Sequence, residues 1–366
     1  MHPFLRKILE ATRLTREGRI GEATAAIRAA VAPAAQRSAV VDDGDVAIAE
    51  PAPRRVDRAE GRFIESSFTG SAGTRAFKLF VPGGREGEAL PLVVMLHGCT
   101  QGPDDFAAGT RMNAIAEQQG FLVLYPTQSQ RANGQRCWNW FSPRHQRRGG
   151  GEPALIAAMT RHVVQTHDVD RDRVWVAGLS AGGAMAAILA REYADVFAAA
   201  GVHSGIVPGA ARDVASAFAV MRSGPGTTSP LASRAAPADA ASPTRRSAPL
   251  IVFHGDADTT VAIANADALL ASAIADLAVV ATTTRGVAER GERAFRRTVW
   301  HRSDDDGAPS VAERWVVHGS QHAWSGGAAG GSFTDPAGPD ASREMLRFFA
   351  EHPRVSSLAE AFGTST

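Results

Sequence analysis

The sequence is poor in cysteine and lysine and has no long apolar run. Only Cys99 and Cys137 occur in 366 residues, which excludes a disulfide-framework protein and leaves either one bridge or two thiols. Lysine stands only at Lys7 and Lys78, so nearly all positive charge is arginine. Beside 36 glycines and abundant alanine, that bias reflects composition more than a binding surface. The formal net charge is +1, so no overall field draws in nucleic acid or an acidic membrane, and neither is expected as a partner. No window of about twenty apolar residues occurs, so no membrane span is expected. The eleven histidines show no H-E-x-x-H or other ligand spacing, and neither a metal nor another cofactor is expected. The first residues, Met1-His2-Pro3-Phe4-Leu5-Arg6-Lys7, lack the apolar core of a Sec signal peptide. The expectation for the sequence as written is therefore a cytoplasmic protein, with secretion the alternative.

What remains is ordinary for a globular enzyme: 44% hydrophobic and 21% charged residues, enough to bury a sizeable core. Residues 1–31 carry Phe4, Leu5, Ile8 and Leu9, then Ile20, Ile27 and Val31, at helical spacing. This amphipathic segment reads as a packing appendage or as an element for docking and self-association. Residues 32–60, rich in Ala, Pro, Asp and Arg without periodicity, read as a linker. A catalytic domain is expected over 61–352, with a low-complexity insertion at 208–247 and a frayed tail over 353–366. Phe63–Thr69 and Arg75–Val81 alternate around Gly70-Ser71-Ala72-Gly73, a hairpin pattern. Pro91–Leu96, Phe121–Tyr125, Val174–Leu179, Ala198–His203, Leu250–Phe253, Ala294–His301 and Arg314–His318 read as strands. Helices are expected over Pro103–Gln119, Glu152–Thr166, Ala184–Ala190, Val214–Met221, Ala262–Ala275 and Ser342–Glu351. This alternation predicts one α/β domain with a mostly parallel central sheet and helices on both faces.

The chemistry gathers around Gly178-Leu179-Ser180-Ala181-Gly182, a G-x-S-x-G in its required context of strand, tight turn and helix. A serine hydroxyl needs a base, and the base an orienting carboxylate. In His254-Gly255-x-x-Asp258-x-x-Val261, Asp258 is favoured as the acid over Asp256, which is better placed to satisfy loop amides. Of the late histidines, His318 ends a strand and is expected to be packed. His322, in a Gly- and Ser-rich loop, can reach across the sheet as base. The oxyanion donors expected are the amides of Ala181, directly after the serine, and Cys99, next to Gly98. Trp138, Trp140 and Phe141, with Asn139 among them, sit on one long loop and suggest a cleft wall. A Cys99–Cys137 bridge would tether that loop beside the oxyanion loop; a reducing cytosol would oppose it, and both states stay open.

At these residues the chain resembles the PHB depolymerase family of esterases, related to poly(3-hydroxybutyrate) depolymerases and to family 1 feruloyl and acetylxylan esterases. The resemblance rests on Leu96-His97-Gly98-Cys99-Thr100-Gln101, Arg136-Cys137-Trp138-Asn139-Trp140-Phe141, Gly178–Met185, Phe253–Val261 and His322-Ala323-Trp324-Ser325-Gly326-Gly327. It runs from about residue 61 to 350. It implies an α/β-hydrolase fold, Ser180 as nucleophile, Asp258 as acid and His322 as base, with Trp138, Asn139, Trp140 and Trp324 as candidate substrate contacts. The implied partner is an ester substrate, with short-chain 3-hydroxyalkanoate esters first and feruloyl or acetyl esters of plant polysaccharides second. Secreted polymer-degrading members carry a signal peptide and often a polymer-binding domain; neither is evident here, which weighs against an insoluble polymer. A catalytically silent binder of the same fold is the non-enzyme alternative, and the intact Ser180, Asp258 and His322 argue against it.

Overall fold

The computed structural model describes residues 60–226, 247–288, 293–303, 307 and 309–354. The expected N-terminal helical segment, the linker up to residue 59, the middle of the insertion (227–246) and the chain beyond 354 lie outside the described residues. The first alternating runs form the expected hairpin, β1 (Arg62–Gly70) and β2 (Gly73–Val81), closed by Ser71 and Ala72 with Gly70 opposite Gly73. Gly73, directly after the two loop residues, takes φ 126°, a conformation that a side chain would resist.

β3 (Leu90–Leu96) is apolar along its length because both of its faces are covered. Leu92, Val94 and Leu96 enter one core, while Val93 and Met95 enter the other. The remaining large-sheet strands are β4 (Leu122–Pro126), β5 (Val169–Leu179), β6 (Ala199–His203), β7 (Leu250–Gly255), β8 (Val279–Val287), β9 (Ala294–Arg302) and β10 (Ala312–Val317). They lie in the order β1-β2-β4-β3-β5-β6-β7-β10-β9-β8. From β4 through β10 the central pairs are parallel, and antiparallel pairs close both edges.

Helices α1 (Pro103–Thr110) and α2 (Met112–Gln119) replace the single helix expected over 103–119. Arg111 breaks it at φ 57°, its guanidinium drawn to the Gly326 carbonyl at 2.9 Å and to Asp340 at 2.5 Å. Next come α3 (Gly151–Thr166), α4 (Ala181–Glu192), α5 (Val214–Ser223), α6 (Ala264–Ile274) and α7 (Ala341–Ala350). Side chains of α3 to α6, such as Ile156, Met185, Val220 and Leu269, fill one core. Phe106, Ile115, Met345, Phe348 and Phe349 of α1, α2 and α7 fill the other. Among the described residues no helix is long and apolar enough to cross a membrane.

β8 is a strand that periodicity does not reveal. Its Val-Val-Ala-Thr-Thr-Thr run is largely exposed on both faces, so no alternation marks it, and only its β-branched content signals a strand. Arg354, expected in the tail, is held to the sheet: its amide donates to the Asp172 carbonyl of β5 at 2.7 Å. The parallel strands all point the same way. The loops after β3, β5, β7 and β10 therefore emerge at one edge, where an open α/β sheet places its sites.

Candidate active site

Ser180 sits between β5 and α4 at φ 58°, ψ −118°, a backbone conformation that side chains rarely adopt and that the surrounding packing must impose. That packing leaves no room for side chains. A Cβ on Gly182 would lie 1.9 Å from the Leu96 carbonyl oxygen, and one on Gly178 would lie 2.4 Å from the Gly182 backbone. The two glycines thus let α4 start directly against β3 and β5, and the Ser180 amide is tied to the His203 carbonyl at 2.9 Å.

Asp258 lies in the loop after β7 with its side chain fully buried. Its Oδ1 accepts the amides of Thr260 (2.9 Å) and Val261 (2.8 Å), and its Oδ2 accepts His322 Nδ1–H at 2.7 Å. Burial alone would raise its pKa; hydrogen bonds from His254, His322 and the Val261 amide outweigh that and hold the carboxyl well below the usual range. His254, also buried, donates from Nε2 to the Val261 carbonyl at 2.8 Å and stands 3.5 Å from Asp258 Oδ2, while its Nδ1 has no hydrogen-bond partner among the described residues. With Asp258 as acceptor, the proton of His322 resides on Nδ1 and its Nε2 is left as a base. The two loops meet because residue 255 is glycine: a Cβ there would lie 2.1 Å from the Ser320 carbonyl oxygen.

Ser180 and His322 line one cleft of about 420 Å³. No direct hydrogen bond joins them, a separation that substrate binding commonly closes in such sites. Cys99 and Ala181 line the same cleft. In the loop after β3 the Gly98 amide is taken by Gln101 Oε1 (2.9 Å) and the Thr100 amide by the Gln135 carbonyl (2.6 Å). The amides of Cys99 and Ala181 have no acceptor among the described residues. Cys99 and Cys137 are joined, their sulfurs 2.02 Å apart, so the bridge forms part of the cleft wall. Among the described residues no group of three or more His, Cys, Asp or Glu side chains could hold a metal ion.

Several expectations are corrected. Trp138 does not reach the cleft: it is fully buried and donates its indole N–H to the His97 carbonyl at 3.1 Å. Asn139 turns to Glu152, donating from its backbone at 2.7 Å and from its side chain at 2.8 Å, and so anchors the loop. Trp324 is a core residue, packed edge-on to Phe106 and bonded through its N–H to Ser342 Oγ at 3.0 Å. Of the candidate contacts, Trp140 lines the cleft, joined by Phe141. His318, expected to be packed, is exposed and pairs with Asp256 Oδ2 at 2.7 Å, while Asp256 Oδ1 accepts the Gly319 amide. The cleft also contains Val214, Phe218 and Met221 from α5 and Phe333, none of them anticipated. Val214 and Phe218 stand four apart on one helix face and are more than half exposed, a signal visible only once the inner face of α5 is known. Two buried histidines near the site stay neutral. Burial pushes His97 down to about 4 and His203 down to about 3. His97 Nε2 accepts the Gln128 amide and His203 Nε2 the Ser325 amide.

Other proteins match this chain to different extents in fold and in sequence. The acetyl xylan esterase of Aspergillus awamori superposes with a TM-score of 0.61 at 20% identity, over 80% of this chain and all of that one, which shows the fold. In sequence, the poly(3-hydroxyalkanoate) depolymerase C of Paucimonas lemoignei is 36% identical over 200 residues, 55% of this chain and 48% of that protein. The feruloyl esterase B of Thermothelomyces thermophilus is 35% identical over 128 residues, 35% of this chain and 43% of that protein. The matched stretches thus span about half or less of these relatives' lengths. The family model described as Esterase PHB depolymerase matches residues 75–295, a range that holds Ser180, the loop after β3, the bridged cysteines and the Asp258 loop. On that match, over more than half its length, the chain belongs to the PHB depolymerase family of esterases.

Proposed function

We propose that the protein is a serine esterase that works through an acyl-enzyme. The observation that carries this reading is the Asp258–His322 hydrogen bond of 2.7 Å in the wall of the cleft that also holds Ser180 on its strained turn. His322 Nε2 removes the Ser180 proton as Oγ attacks the ester carbonyl, and Asp258 stabilises the imidazolium that results. The Cys99 and Ala181 amides hold the developing oxyanion. His322 then protonates the departing alcohol, and water repeats the sequence to release the acid.

The substrate class we favour is short-chain 3-hydroxyalkanoate esters. A cleft of about 420 Å³ lined by Ile206, Leu179, Met221 and Trp140 is largely apolar and has room for a short acyl unit and part of its neighbour. The named depolymerase of Paucimonas lemoignei supports this choice. A second reading, a feruloyl ester, is supported by the aromatic wall of Trp140 and Phe141 and by the named feruloyl esterase. The Cys99–Cys137 bridge favours an oxidising compartment, and hence secretion over the cytoplasm.

Hydrolysis of p-nitrophenyl butyrate by wild type and by Ser180→Ala tests the reaction; equal rates sink it. Hydroxybutyrate release from soluble trimers and amorphous polymer, set against ferulate release from arabinoxylan, tests the substrate. Faster ferulate release overturns the hydroxyalkanoate assignment.

A further inference from the structure

Gln101 is 3% exposed and every polar atom of its amide is engaged. Its Oε1 accepts the Gly98 amide at 2.9 Å. Its Nε2 donates to Asp105 Oδ2 at 2.8 Å and to the Ser332 carbonyl at 3.1 Å. Asp105 in turn accepts the Ser332 amide at 2.8 Å and the Ser332 hydroxyl at 2.5 Å. The next residue, Phe333, stands edge-on to the His322 ring with centroids 6.5 Å apart and lines the cleft. The same segment is pressed onto α1: a Cβ on Gly331 would lie 2.4 Å from Gly109 Cα, and the Ala328 amide donates to the Gly109 carbonyl at 2.8 Å. One buried amide therefore spans from the loop beside Ser180 to the loop beside His322.

We propose that Gln101 is a positioning residue, one that selects the Cys99 amide as oxyanion donor and sets the Phe333 loop by the same hydrogen bonds. This rests on the esterase reading above. Three consecutive amides leave the loop after β3, and two are consumed: Gly98 by Gln101 and Thr100 by the Gln135 carbonyl. The amide between them is left unpaired and rigidly aimed, which is what an oxyanion donor requires, since it must not reorganise as charge develops. If Gln101 lost its acceptor, the Gly98 N–H would compete for the same oxygen and the peptide would be free to turn. The disulfide holds the Cys99 side chain but does not hold its peptide plane. The Asp105 charge keeps the Gln101 amide in this sense, because Nε2 must face the carboxylate and Oε1 must then face Gly98.

The test separates this role from general stability. Gln101→Ala lowers kcat on p-nitrophenyl butyrate by about 100-fold, the order expected for a misplaced catalytic donor, with KM changed less than threefold. Its affinity for a butaneboronic acid falls in parallel, while its affinity for butyrate does not. Gln101→Glu keeps the acceptor for Gly98 but sets two carboxylates against each other, and it loses activity as well; adding Asp105→Asn restores a donor at that contact, leaves the Ser332 carbonyl without its donor, and recovers part of kcat. Ser332→Ala removes the hydroxyl bond to Asp105 and keeps the two backbone bonds of Ser332; it loosens the Phe333 loop without disturbing Gly98, so it raises KM by up to about threefold and leaves kcat within threefold. A folded Gln101→Ala with near-wild-type kcat overturns the proposal, as does a Gln101→Glu defect that Asp105→Asn fails to repair. Should Gln101→Ala not fold, the charge-swapped pair and Ser332→Ala decide. Activity retained in Ser180→Ala refutes the esterase reading instead, so the two failures are distinguishable.

Discussion

Replacing Asp258 by asparagine keeps the shape of the acid loop but removes one acceptor too many. The carboxylate serves two amides through Oδ1 and His322 through Oδ2. An amide side chain can satisfy only one of these sides. With its oxygen on Thr260 and Val261, its NH₂ faces His322 Nδ1, which must then become the acceptor and carry its proton on Nε2, where a base is needed. With its oxygen on His322, its NH₂ meets two backbone donors in a site with no water-exposed face. The first arrangement costs chemistry and the second costs stability by about 1–3 kcal/mol. We expect kcat on p-nitrophenyl butyrate to fall about 10⁴-fold, as for a triad in the wrong tautomer, which is roughly 5 kcal/mol of transition-state stabilisation. The stability part has a pH signature. The folded-state pKa of Asp258 is depressed, so its contribution is present above the unfolded value of about 3.9 and is lost as pH falls through the folded value. The gap between wild type and variant in urea unfolding is therefore full at pH 7 and narrows in acid. Asp256→Asn is the control, since Asp256 is solvent-exposed and pairs with an exposed histidine. It should change kcat less than threefold. A folded Asp258→Asn with kcat within tenfold of wild type, or an equal loss in Asp256→Asn, would refute the assignment of the acid.

Gly255→Ala places a methyl 2.1 Å from the backbone oxygen of Ser320, where nothing flexible can yield. Overpacking of this kind costs about 1–3 kcal/mol, and kcat should drop with it because the acid and base loops are forced apart; an unchanged urea midpoint contradicts this. The Cys99–Cys137 bridge joins residues 38 apart in sequence, and loop closure of that length stabilises by about 4 kcal/mol. Cys137→Ser should lower the unfolding midpoint accordingly, and thiol titration of the oxidised wild type should find no free cysteine. His97 and His203 resist protonation in the folded state, with values pushed down by burial to about 4 and about 3. A depressed histidine contributes stability that is fully present above about 6.5 and is lost as pH falls toward the folded value. Between pH 6 and 4.5 stability should therefore fall with a slope approaching two protons, and a flat profile there excludes buried neutral histidines.

The chain states its local geometry openly and its packing poorly. The hairpin, the buried parallel strands and the elbow were legible because each depends on a short-range constraint: period-two alternation, continuous apolar runs, or glycines where helix and strand touch. Gly178 and Gly182 show this best, since each Cβ would collide with backbone. What the sequence concealed depends on partners far away in the chain. Trp138 and Trp324 belong to the core because the His97 carbonyl and Ser342 wait for their indole N–H groups, 41 and 18 residues away. Phe333 and Phe218 border the cleft only because the Gly331 segment lies on α1 and because α5 buries Ala217 and Val220. Arg111 split a helix that propensity would continue, and its partners Gly326 and Asp340 lie more than 200 positions away.

The same contrast bears on how the site divides its labour. The groups proposed to react are fixed by backbone: Ser180 by two glycine contacts, Asp258 by two amides of its own loop, and His322 by a loop that Gly255 admits to within van der Waals contact. Such constraints tolerate almost no variation, because each replaces a flexible contact with a main-chain one. The cleft walls are held differently. Val214, Phe218 and Phe333 present half-exposed side chains from α5 and from a loop bound through Ser332, so these residues can change without moving Ser180. On the proposed reading, acyl transfer is built into the sheet edge, while the choice of ester lies with elements attached to it. It follows that substitutions at Phe218 or Phe333 should redistribute kcat/KM among acyl groups, whereas substitutions at Gly178, Gly182 or Gly255 should lower it for all of them alike. An enzyme in which Phe218→Ala lowered every ester equally would have its specificity elsewhere.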